Sequence, residues 1–202
     1  MSKFENITAI TRWFFVVLLL GALTGCGINN IPTYDEAVNA AWSQVQNQYK
    51  RRADLVPNLV ETVKGFARQE KEVLTEVIEA RAKATSMQLP RDILSDPQAF
   101  QQFQQNQDAL SSALARLMVV VERYPDLKSN QNFLALQSQL EGTENRIAVA
   151  RRDYIQAVQQ YNTELRTIPG RWWAALLYSD LKIKENFTQP ESVQEAPAVQ
   201  FN

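Results

Sequence analysis

Three sets of residues in this 202-residue chain bring reactive or charged groups into a spacing that chemistry can use. The first is a thiol. Cys26, the sole cysteine, ends the run Leu23-Thr24-Gly25-Cys26. A cysteine sulfur is a nucleophile in its thiolate form. The second is the block Glu141-Gly142-Thr143-Glu144-Asn145-Arg146, with Arg151 beyond it. Glu141 and Glu144 are three apart and share one side of a helix, as an acid–base pair of carboxylates would. The third is Arg51, Arg52, Asp54 and Asn58. The chain has no histidine, which removes the commonest general base and zinc ligand. A di-iron site in a helical bundle needs Glu-x-x-His pairs. No disulfide is possible, and no glycine-rich phosphate loop or metal spacing is present. The expectation is no catalytic residue, no metal and no cofactor.

The segment ahead of Cys26 sets where the chain resides. Lys3 and Arg12 give a positive start, Trp13 to Leu20 an apolar stretch, and Gly21 and Ala22 small residues before the box. The apolar stretch is short of the roughly 20 residues a spanning helix needs. The combination resembles a bacterial lipoprotein signal with its lipobox. It implies a signal peptide over 1–25, acylation of Cys26 and a tether over 26–33. The membrane lipid held through acylated Cys26 is then the first partner. Because a single chain holds only marginally, stable anchoring takes more than one. Gly27 rather than Asp follows the cysteine, and the resemblance favours the periplasmic face of an outer membrane where there is one. An uncleaved membrane anchor is the competing reading.

Formal net charge is −1, no footprint for nucleic acid. Glycine is scarce, while Gln, Ala, Glu and Leu are frequent, the composition of an all-helical protein. Thr33 with Glu36 forms a capping box ahead of Tyr34, Val38, Trp42, Val45 and Tyr49 at helical spacing. Asp54 caps a second segment, and Pro57 predicts a break or bend over 52–57. Leu59, Val63, Phe66, Val73 and Val77 continue that stripe until Pro90. Asp96-Pro97 opens a third segment through Phe100, Phe103, Leu110, Leu114, Leu117 and Val121. The fourth runs from about Asn130 to Ile168, where Phe133, Leu140, Ile147, Tyr154, Tyr161 and Ile168 stand seven apart. That repeat predicts nearly aligned, left-handed packing. Four long segments with short connections predict an all-α, up-and-down antiparallel four-helix bundle over 34–180, with a short extra helix near its end. Residues 181–202 read as a flexible tail.

Thr143 stands in a seam where an apolar residue is expected, and Glu144 and Arg151 share the neighbouring row. With Arg51, Arg52, Asp54 and Asn58 they predict a buried polar layer that fixes register. A polar pocket or partner surface, with Glu141, Asn145 and Arg146 added, is the alternative. Gly142 suggests close approach of another backbone. Trp172 and Trp173 either cap the bundle or meet the bilayer interface, where tryptophan is enriched.

Two blocks are similar to the LemA family of bacterial membrane-associated proteins. One is Gln48-Tyr49-Lys50-Arg51-Arg52-Ala53-Asp54-Leu55-Val56-Pro57-Asn58-Leu59-Val60, continuing to Glu79-Ala80-Arg81. The other begins at Tyr124-Pro125-Asp126-Leu127 and includes Leu140-Glu141-Gly142-Thr143-Glu144-Asn145-Arg146-Ile147-Ala148, Ala150-Arg151-Arg152 and Tyr161-Asn162. The resemblance spans Tyr34 to Pro169. It implies a bromodomain-like four-helix bundle outside the membrane and no particular activity. A lipobox stands where members usually carry a transmembrane helix. The functional expectation is a non-enzymatic, membrane-anchored envelope lipoprotein that scaffolds or regulates an envelope protein partner. The alternative is a binding protein with a polar ligand site in the bundle core.

Overall fold

The structure, a computed structural model, describes residues 12–13, 27–87, 90 and 92–188. Cys26 and the apolar stretch ahead of it, Trp13 apart, lie outside the described residues. Among the described residues, six α-helices follow Gly27: α1 (Asn30–Phe66), α2 (Lys71–Ser86), α3 (Pro97–Val121), α4 (Pro125–Lys128), α5 (Gln131–Arg166) and α6 (Gly170–Leu177). A 3-10 turn, Ile93–Ser95, precedes α3. No strand occurs among the described residues. Helices α1, α2, α3 and α5 form an up-and-down antiparallel bundle, with α1 packed along α5, α2 along α3, and α1 against α2.

Some starts and stops follow the sequence. Asp96 caps α3, its carboxylate accepting from the backbone N–H of Gln98 and Ala99, with Pro97 in the first turn. Asn130 caps α5 by accepting from Phe133 N–H. The start of α1 differs. It begins at Asn30, and the Thr33 hydroxyl donates to Asn29 O instead of forming a capping box. The helix therefore starts before Thr33, within the 26–33 stretch, and Ile31 already lies in the core.

The expected break over 52–57 is absent. Helix α1 passes through Pro57, and Asp54 is an exposed mid-helix residue paired with Lys50. The physical reason is visible one turn back. Pro57 has no N–H to give to the carbonyl of Ala53, the residue four before it. Arg81 of α2 supplies the missing donor, its Nε–H reaching Ala53 O at 2.8 Å. The reversal comes instead at Ala67–Glu70, where Glu70 accepts from the Tyr124 hydroxyl and Arg123.

The four helices are unequal, and this decides the rest. Helix α1 has 37 residues and α2 only 16. At 1.5 Å per residue, α2 is about 24 Å long against about 55 Å for α1. Half of the bundle thus lacks its fourth helix. Residues 92–95 and 181–188 occupy that half. Residues 181–188, the first part of the segment read as a flexible tail, are an extended strap. Tyr154 and Tyr161 hydroxyls donate to Glu185 O and Lys182 O. Asn162 clamps Lys184 by donating to its carbonyl and accepting from its N–H. Gln104 donates to Thr188 O at 2.6 Å, and Glu185 N–H reaches Leu94 O. Phe187 inserts among Trp42, Phe100 and Tyr154 at ring distances of 5.1–6.3 Å. The packed unit therefore extends past residue 180 to the strap.

The core is split accordingly. The half holding α2 is aliphatic, built from Val56, Leu59, Val63, Leu110, Leu117 and Leu140. The half holding the strap is aromatic, built from Trp42, Tyr49, Phe100, Phe103, Tyr154 and Tyr161.

Candidate functional site: a polar layer between two cores

Arg52 lies between those two clusters, with 1% of its surface exposed. Along α1 it separates Tyr49 from Val56, along α3 Gln107 separates Phe103 from Leu110, and along α5 Thr143 separates Leu140 from Ile147. One polar stratum thus crosses the bundle at a single height.

The Arg52 guanidinium organises it. One terminal nitrogen donates to Ser111 Oγ at 2.6 Å and to Glu144 Oε1 at 2.8 Å. The other donates to the backbone oxygen and side-chain Oε1 of Gln107, at 3.1 and 2.8 Å. The amide nitrogen of Gln107 reaches on to Ala84 O, tying in the end of α2. Tyr49 lies beneath the cation, 5.1 Å from ring centre to Arg52 Cζ. Burial raises the Tyr49 hydroxyl's pKa, opposed by the charges of Arg151 and Arg52. Arg52 Nε has no hydrogen-bond partner. Glu144 is 45% exposed, so the ion pair is buried on one side only.

The residues expected in this layer divide. Arg52, Thr143 and Glu144 meet there. Thr143 donates to Gln139 O, and Arg146 folds back to donate to the Thr143 hydroxyl and to Gln48. Arg51, Asp54 and Asn58 face solvent and are not part of it. The periodicity of α1 explains this: core positions 45, 49, 52, 56 and 59 leave 51, 54 and 58 outward. Glu141 is exposed and accepts from Gln137, while Asn145 is exposed on the layer's edge. Arg151 sits lower, its guanidinium 4.3 Å above the Phe187 ring, holding the strap. No second backbone approaches Gly142; the space a Cβ would fill borders the Arg146 guanidinium at 3.5 Å. Gln107 and Ser111 were not expected. The signal for Gln107 was present, a polar residue in the seam between Phe103 and Leu110, parallel to Thr143.

The two tryptophans also divide. Trp173 packs against the aromatic core, while Trp172 is 62% exposed. Leu176 and Leu177 of α6 are exposed with it. Gly170 opens this helix because a Cβ there would collide with the Glu164 backbone oxygen. Asn30 donates to Glu164 near the end of α5, so α6, which follows α5 and contacts α1, starts at the end of the bundle where α1 begins.

The LemA family pattern matches residues 41–201, most of the chain and every element of the layer. The chain belongs to the LemA family. Among its relatives are the magnetosome proteins MamQ 1 and MamQ 2 of Paramagnetospirillum magneticum, each 26% identical over 186 residues. The match covers 84% of this chain and 65% of each relative, so the chain spans under two thirds of their length. In this LemA-family bundle no group of three or more Cys, Asp or Glu side chains that could hold a metal occurs among the described residues. No described helix is long and apolar enough to cross a membrane.

Proposed function

We propose that this LemA-family protein is a non-enzymatic envelope protein, tethered by lipid at Cys26, that holds its bundle against the membrane surface as a scaffold or regulator of a membrane partner. One observation carries the reading. The exposed apolar face of α6, with Trp172, Leu176 and Leu177, lies at the end of the bundle where α1 begins and the chain leads back toward Cys26. Exposed Arg166 and Arg171 flank it. Tryptophan and leucine beside arginine suit a lipid headgroup boundary. Family membership supports association with a membrane.

The polar layer supports a structural role for its charges. Its arginine is spent on three neighbouring side chains and a carbonyl, which leaves the alternative of a small ligand in the core less supported. Mass spectrometry of the membrane-bound protein should find acylated Cys26 at the mature N-terminus. Cys26→Ser should release the bundle or leave it unprocessed, and Trp172→Glu with Leu176→Glu should weaken what membrane binding remains. A membrane-bound chain with Met1 intact would sink the tether. Detergent crosslinking should recover a membrane protein, whereas turnover by the purified chain, lost on one carboxylate substitution, would overturn the non-enzymatic reading.

A further inference from the structure

The seat of the strap does not end where the described strap ends. On α3, Gln104, Ser111 and Met118 follow one another at seven-residue steps, and on α5 so do Gln137, Glu144 and Arg151, so each set lies along one side of its helix. Gln104 and Arg151 hold the strap. Ser111, Met118, Gln137 and Glu144 line a groove of about 560 Å³ in the other half of the same channel, with Leu114, Ala115 and Leu140 as its apolar lining. The strap runs toward that groove, from Lys182 beside Tyr161 to Thr188 beside Gln104.

We propose that the groove between α3 and α5 is the docking site of the chain's own C-terminal segment, residues 189–202. The segment follows Thr188, which Gln104 holds about two helical turns short of Ser111 of the groove. Its sequence carries Pro190 and Pro197, with Val193, Ala196 and Val199 at every third position. In an extended polyproline-type chain, with three residues per turn, those three would share one side and Glu191 and Glu195 would lie off it. The heights agree. At about 3.1 Å per residue, an extended chain would carry Val193 about 16 Å beyond Thr188. Ala115 stands about 17 Å beyond Gln104 at 1.5 Å per residue. The family pattern runs to residue 201, through this segment.

The full chain carrying Cys26→Ser tests this by thiol pairing. Ala115 lines the groove, whereas Thr75, exposed at a similar height because the neighbouring Glu76 pairs with Arg116, lies outside it. Val193→Cys with Ala115→Cys should form an intramolecular disulfide under mild oxidant at least tenfold faster than Val193→Cys with Thr75→Cys. Met118→Glu should remove that advantage while circular dichroism shows the bundle intact. Equal rates for the two pairs would overturn the proposal. So would a disulfide that forms only between chains, which would make the groove a seat for a second copy. An Ala115→Cys thiol unreactive toward Val193→Cys but shielded from maleimide when membranes are added would overturn it in favour of a membrane partner.

Discussion

Arg81 and Pro57 show how one missing proton is answered by a residue 24 positions away. A proline inside a helix removes a backbone donor and ordinarily bends or ends the helix. Here the carbonyl it deprives is the buried Ala53 O, and the Arg81 Nε–H fills the vacancy. Arg81→Ala should cost about 1–3 kcal/mol, the range for a buried acceptor left unpaired. In a Pro57→Ala background the helix regains its own donor, and the cost of Arg81→Ala should shrink; denaturant melts of the four-protein cycle measure the coupling. No coupling would mean that the Arg81 contact is incidental. A second asymmetry concerns the ion pair. Glu144→Leu leaves the Arg52 guanidinium buried without its counter-charge, a loss toward the lower end of about 3–5 kcal/mol because Glu144 is partly solvated. Arg52→Met should cost less, since Glu144 can turn to water. The reverse order in urea midpoints would refute the assignment of Arg52 as the buried member. The sequence shows that a polar layer exists, through Thr143 in an apolar seam. It does not show which of Arg51 and Arg52 points inward, because that depends on α1 staying continuous through a proline, and the rescue of that proline comes from another helix.

Helix α5 was legible because its signal is local and repeated: five aromatic or aliphatic residues at seven-residue spacing, all of them buried. The strap was not, for a physical reason. It carries no periodicity, and its main chain is held by side chains of other elements, the amides of Asn162 and Gln104 and the hydroxyls of Tyr154 and Tyr161. Side-chain recognition of a backbone leaves almost no trace in the recognised sequence. The one trace is Phe187, whose ring completes the aromatic cluster. Phe187→Ala should lower stability by about 1–3 kcal/mol, in keeping with the partial burial of a large apolar side chain. The loss should be local. Hydrogen exchange should quicken around Leu94 and Glu185 while the amides of Leu59 and Leu117 keep their protection. Uniform loss of protection across both halves would show that the strap is no separate unit.

The whole molecule is two cores joined at Arg52, and the two differ in how they respond to alkali. Tyr49, Tyr154 and Tyr161 all belong to the aromatic half. Burial, the largest cause for each, raises all three hydroxyl pKa values, that of Tyr161 to about 12. Tyr161 and Tyr154 also donate to the strap, and an ionised phenolate has no proton to give. In the unfolded chain these groups ionise near pH 10. A folded value above the unfolded one contributes stability that is complete below about pH 10 and is lost as the pH rises through about 12. The aliphatic half has no buried tyrosine; Tyr124, at its end, is raised chiefly by its hydrogen bond to Glu70. Raising the pH from 10 to 12 should therefore release the strap and loosen the aromatic half before the helices of the other half melt. Phenolate absorbance near 295 nm should show a group of tyrosines titrating late, together with a change in the fluorescence of Trp42, while helical ellipticity falls only in part. If all tyrosines titrate near pH 10 with no change at Trp42, or if ellipticity and fluorescence collapse in one step, the aromatic half is neither sealed nor separable.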